Sequence, residues 1–81
     1  MKLPRNVSGD KLAGLLAEYD YTVIRQTGSH IRLVSNFKGT KHTITIPKHS
    51  PLKIGTLGGI VKDIADYLEV EKSELISRLF G

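Results

Sequence analysis

Leu12, Leu15, Leu16 and Tyr19 recur at the i, i+3, i+4, i+7 spacing of a helix with one buried stripe. Ser8 stands before them as the N-cap, its hydroxyl placed to accept a free backbone N–H of the first turn, with Asp10 at the positive end of the helix dipole. From Tyr21 the period falls to two. Three β-rich segments follow, roughly Tyr21 to Gln26, Ser29 to Asn36 and Lys41 to Pro47, separated by Thr27-Gly28 and by a turn from Asn36 to Thr40. Ile31 and Leu33 share one face of the second segment and His30, Arg32 and Val34 the other. In the third, Ile44 and Ile46 oppose Thr43 and Thr45. The spacing predicts a sheet with one apolar and one polar face. After a loop from His49 to Gly55, helical spacing returns with Leu57, Ile60, Val61, Ile64 and Leu68, Thr56 being placed to cap. Leu75, Ile76, Leu79 and Phe80 predict a short third helix starting near Glu71.

These elements predict an α+β fold in the order α-β-β-β-α plus a short C-terminal helix: a three-stranded antiparallel sheet with helices packed on one face and its polar face open to solvent. The arrangement resembles the double-stranded-RNA-binding domain. At 81 residues the chain reads as a single domain, 1–81, without repeats or linkers. A chain of this size buries about 60 to 65 per cent of its unfolded surface, which leaves little core for a second site.

Charge sharpens the picture. The 42 residues between Asp20 and Asp63 contain no carboxylate, seven Lys or Arg and all three histidines, so the centre carries +7 and the flanks −3 of the net +4. A phosphate polymer is the commonest partner of such a surface, because each neutralised phosphate releases condensed counterions. A solvated basic face, or one that receives an acidic protein, has the same composition. The absence of Cys removes disulfides, thiolate nucleophiles and sulfur-ligated zinc, as in chains of the reducing cytoplasm. Neither a run of ~20 apolar residues nor a signal-type N-terminus occurs, which predicts a cytoplasmic protein with no membrane role.

Candidate chemistry gathers at Arg25 to His30. The histidine opens a strand just after a glycine turn and projects from the polar face, beside Arg32 two residues along and Arg25 on the adjoining strand. An imidazole, with an ordinary pKa of about 6.5, can take a proton from a ribose 2′-hydroxyl or give one to a departing 5′-oxygen, a contribution of about 10² to 10⁴ in rate. DNA lacks that hydroxyl. His49, with Lys48 and Lys53 close in sequence, reads either as a phosphate contact or assisting proton donor, or as a loop histidine without a role. His42 reads as structural or incidental. The histidine spacings of 12 and 7 residues match no local metal-ligand pattern, and without central carboxylates no metal site and no cofactor are expected. Ser29 has no nearby acid to complete a nucleophilic triad, so its hydroxyl reads as a turn cap or a phosphate ligand. Gly58 and Gly59, placed by the pattern in the first turn of the second helix, suggest close approach of a phosphate or partner to free N–H groups there, tight packing on the sheet, or simple drift.

Three motifs in order carry a family resemblance: Arg-Gln-x-Gly-Ser-His at Arg25 to His30, Ile-Pro-x-His at Ile46 to His49, and Gly-Thr-Leu-x-x-Ile at Gly55 to Ile60. Together they make the chain, over about residues 8 to 80, similar to the HicA family of bacterial toxins. The resemblance implies a toxin–antitoxin component: a metal-independent endoribonuclease that cleaves mRNA with a single catalytic histidine, in the place of His30, and is masked by a HicB-like antitoxin. Arg25, Ser29, Arg32, Lys48, His49 and Lys53 are then the expected RNA-binding residues. The rival reading is a noncatalytic RNA-binding module that uses the same basic face to read A-form shape.

Overall fold

A computed structural model describes residues 3–81, so Met1 and Lys2, the first positions of the expected domain, lie outside the described residues. Helix α1 spans Gly9–Leu15 and tightens into a 3₁₀ turn, Leu16–Tyr19. Strands β1 (Thr22–Gln26), β2 (His30–Ser35) and β3 (His42–Pro47) follow, then α2 (Ile54–Leu68) and α3 (Lys72–Phe80). The fold is α+β, in the expected order. The sheet is an antiparallel meander, β1-β2-β3, with β2 in the centre.

Ser8 caps α1 as its side chain suggests, its Oγ accepting the Lys11 N–H at 3.0 Å. The stripe that reads as one helix divides in two without leaving the core: Leu12, Leu16 and Tyr19 are all buried although the last turn is 3₁₀. Gly9 explains how the helix sits so close to the sheet. A Cβ there would run into the Pro47 carbonyl oxygen, and the Gly9 N–H donates to the His49 carbonyl at 2.9 Å. The missing side chain thus lets the start of α1 rest against the end of β3.

Ile31, Leu33, Ile44 and Ile46 form the inner face of the sheet and are buried together with Leu12 and Leu16 of the first helical segment, Leu57, Val61, Ile64 and Leu68 of α2, and Leu75, Ile76 and Leu79 of α3. Each such side chain contributes about 1.5–3 kcal/mol on burial. Among the described residues Ser35 is the buried polar exception, and its hydroxyl is used twice: it donates to the Tyr19 carbonyl at 2.7 Å and accepts the Phe37 N–H at 3.1 Å. The opposite face exposes His30, Arg32, Thr43 and Thr45, and at its β3 edge Thr43 and Thr45 border a recess shared with Gly55, Thr56 and Gly59 of α2.

Two readings of α2 need correction. The helix begins at Ile54, inside the stretch expected to be loop, and Lys53 is its N-cap with no side-chain cap bond. Thr56 therefore lies within the helix, where it caps nothing. Gly58 and Gly59 accordingly fall beyond the first turn, where N–H groups already have intrahelical partners, so they offer no free amides. Gly58 is a packing position: a Cβ would meet Leu3 Cδ1 at 3.3 Å and Lys72 Nζ at 3.5 Å, while Gly59 faces open space.

A polar clamp holds α2 to the far end of the sheet. Tyr67 on α2 has its hydroxyl within the turn that joins β2 to β3, donating to the Thr40 carbonyl and accepting the Lys38 N–H at 3.0 Å. Its ring stacks on His42 with centroids 4.5 Å apart and an 11° tilt. His42 Nε2 lies 3.4 Å from Asp63 Oδ1, and Nδ1 lies 2.6 Å from the Tyr21 hydroxyl. Both ring nitrogens of His42 thus face a polar partner inside the fold. His42 is structural, as its sequence context suggests.

Candidate active site on the open sheet face

The site starts from an irregularity in β1. Thr22 pairs with Val34 and Val23 with Leu33, but Arg25 pairs with Arg32, leaving Ile24 as the extra residue of a β-bulge. In unbroken register Arg25 would face Ile31 on the inner side. The bulge instead puts Arg25 directly opposite Arg32 on the outer face. Like charges in cross-strand contact are unfavourable unless solvent or a bound anion intervenes, which makes the pair a local investment in positive potential.

His30 begins β2 opposite Pro47. The turn before it is held by one hydroxyl: Thr27 Oγ1 accepts the His30 N–H at 3.0 Å and the Ser29 N–H at 3.3 Å. On the other side, the Lys48 N–H donates to the Ser29 carbonyl at 2.8 Å, which fastens the loop after β3 to the same turn. Ser29 Oγ is 3.0 Å from His30 Nδ1. His30, Arg25 and Arg32 line one shallow recess of about 170 Å³ together with Thr27 and Thr45. That volume is below the roughly 300–1,000 Å³ of pockets that enclose a small molecule, and suits one group of a polymer lying across the surface.

Of the expected residues, the recess unites His30, Arg25 and Arg32, with Ser29 touching the imidazole from the turn. Lys48 and His49 are exposed on the loop after β3, and Lys53 is exposed at the start of α2. None of these three lines the recess. Thr27 and Thr45 were not anticipated. Thr45 could have been found from register, since it is the cross-strand partner of Arg32, and Thr27 from the turn chemistry of a hydroxyl three residues before a strand begins.

Among the described residues Arg25, Arg32, Lys41, Lys48 and Lys53 form no ion pair, whereas Lys38 and Lys62 are paired with Glu69 and Asp66. Five of the seven central cations are thus available to an external anion. Also among the described residues, no group of three or more His, Cys, Asp or Glu side chains could hold a metal ion.

The family model for the HicA toxin of bacterial toxin–antitoxin systems matches residues 9–65, from the first residue of α1 into the last turns of α2. The chain belongs to the HicA toxin family. No curated protein and no solved structure matches it. The HicA match spans the bulged strand, the histidine turn and the loop after β3, so every element that builds the recess lies within it. A HicA chain is the toxin half of a toxin–antitoxin pair. No described helix is long and apolar enough to cross a membrane.

Proposed function

We propose that this HicA chain is a metal-independent endoribonuclease that cleaves mRNA in the cytoplasm, with His30 as the proton-transferring group, and that a HicB-like antitoxin restrains it by covering the basic sheet face. The observation that carries this reading is the placement of an exposed imidazole in one recess with two guanidinium groups that have no carboxylate partner among the described residues. Attack of the ribose 2′-oxygen on the adjacent phosphorus breaks the bond to the 5′-oxygen, leaving a 2′,3′-cyclic phosphate and a 5′-hydroxyl. One proton leaves the 2′-hydroxyl and one reaches the departing oxygen. His30 handles one transfer, and His49 or a water molecule the other. Arg25 and Arg32 offset the negative charge that accumulates on the phosphorane oxygens, an effect strongest where donors are already in position. Lys48, His49 and Lys53 extend the RNA path along the loop after β3 to the start of α2.

The test compares purified wild type with His30→Ala on RNA in the presence of a metal chelator, with circular dichroism to verify folding. Wild type is expected to produce cyclic-phosphate ends, and the variant to lose at least about 100-fold in rate. Equal cleavage by both proteins would remove the proposal. Salt-sensitive binding of RNA without cleavage by either would instead support the noncatalytic RNA-binding reading.

A further inference from the structure

Ser29 has its backbone groups engaged elsewhere, the N–H with Thr27 Oγ1 and the carbonyl with the Lys48 N–H. Its hydroxyl has one partner among the described residues, His30 Nδ1 at 3.0 Å. His30 Nε2 has none. One ring nitrogen is therefore held by the neighbouring residue and the other is free to face a ligand. We infer that Ser29 is the positioning residue for His30, its Oγ accepting the Nδ1–H so that Nε2 is the nitrogen that exchanges a proton with RNA.

The direction of the hydrogen bond follows from the chemistry required of the ring. An imidazole that acts as base at Nε2 must carry its proton on Nδ1, and after taking up a second proton at Nε2 it still carries the first. A hydroxyl oxygen that accepts from Nδ1–H thus keeps the same contact in both protonation states. The opposite polarity, Ser29 donating to Nδ1, would place the neutral ring's proton on Nε2 and would break when the ring charges. The inner members of nucleophilic triads orient the histidine with a carboxylate. Among the described residues no carboxylate forms an ion pair with His30, and a neutral hydroxyl supplies the orientation without bringing negative charge to a phosphate-binding face.

The turn is built for this contact. Thr27 Oγ1 takes the N–H groups of both Ser29 and His30, and Lys48 holds the Ser29 carbonyl, so the two side chains leave a fixed stretch of backbone. An exposed imidazole without such a tether samples several rotamers and both tautomers. Selecting one in advance removes part of the ordering cost of the reacting geometry.

This inference rests on the endoribonuclease reading, and its test separates the two. Long-range ¹H–¹⁵N correlation spectra of ¹⁵N-labelled wild type, Ser29→Ala and Ser29→Thr, recorded in the RNA-free state at pH about 8.5 where an ordinary imidazole is neutral, report which His30 nitrogen bears the proton. The expected result is Nδ1–H in wild type and Ser29→Thr, with a shift toward Nε2–H in Ser29→Ala. In cleavage assays Ser29→Ala should lower kcat about tenfold with KM changed less than about twofold, and Ser29→Thr should recover most of the loss. A predominantly Nε2–H ring in wild type, or a tautomer unmoved by Ser29→Ala, would overturn the inference. So would a rise in KM at unchanged kcat, which marks a phosphate ligand instead. Full cleavage by His30→Ala alongside the expected spectra would defeat the nuclease reading, leaving the hydrogen bond itself established.

Discussion

His30 and His42 each open a strand of the same sheet, and the fold treats them in opposite ways. His42 has both ring nitrogens engaged, one by the Tyr21 hydroxyl and one by Asp63, and a Tyr67 ring stacked on its face. Neither nitrogen faces a ligand from outside. His30 is exposed, with a serine on one nitrogen, no partner among the described residues on the other and two arginines around it. An imidazole fully used by its own protein stabilises the structure. One that is half used can do chemistry, and sequence context alone separates the two only weakly because both follow a turn and both lie near a basic residue.

The comparison fails most visibly if the two histidines can be exchanged in mutational effect. His30→Ala should cost at least about 100-fold in RNA cleavage, equivalent to about 2.7 kcal/mol of transition-state stabilisation, yet shift unfolding by less than about 0.5 kcal/mol. His42→Ala should do the reverse. It leaves the buried Tyr21 hydroxyl without a partner and removes the stack on Tyr67, a loss of about 2 to 4 kcal/mol in urea unfolding, while cleavage per folded molecule is retained.

A titration sharpens the same contrast. Burial, with Tyr67 and Asp63 adding to it, pushes the Tyr21 phenol above its usual range. The unfolded chain releases that proton near pH 10 while the folded chain retains it, so the stability is intact below about pH 10 and declines above it by about 1.4 kcal/mol per pH unit. Tyr21→Phe should flatten this alkaline slope, measured by unfolding from pH 9 to 11. An unchanged slope would mean that the clamp around His42 is open to water.

At the exposed face, Arg25→Ala should weaken RNA binding and make log K less dependent on log salt by about 0.7, the share of one single-strand phosphate contact. An identical salt slope would show that the bulge directs Arg25 to no phosphate. The smallest effect expected is a gain of stability. Gly59→Ala meets no atom within 4 Å and replaces a poor helix former, so unfolding should require about 0.5–1 kcal/mol more. Loss of stability there would show that α2 is strained at that turn.

Much of the architecture is legible in the chain because it follows local rules. Ser8 caps α1 since a hydroxyl at that position has a free amide within reach. Ile31, Leu33, Ile44 and Ile46 lie inside, and His30 and Arg32 outside, because side chains alternate along a strand. The start of α2 is poorly marked for a related reason. Lys53 carries no capping side chain, and Thr56, the nearest residue with capping chemistry, drew the boundary inward although Ile54 and Gly55 are already helical. The end of α2 is similarly unmarked: Glu69 adopts φ 61°, a left-handed conformation more often taken by glycine, while the Val70 N–H bonds the Ala65 carbonyl at 3.0 Å. The candidate site was legible in its residue types, and less so in its membership. Thr27 and Thr45 join His30 through turn geometry and cross-strand register, signals that become readable only once the strands are paired.

By itself the sequence determined the order of elements, the inward and outward sides of the sheet, and a basic centre free of carboxylates, because periodicity and charge are properties of neighbours along the chain. Tertiary structure decided that Ile24 bulges so that Arg25 meets Arg32, that α2 lends Asp63 and Tyr67 to one histidine, and that the other keeps a nitrogen free. Those outcomes depend on which strands and helices pack together, and a residue's chemistry is completed only by the neighbours that packing brings to it.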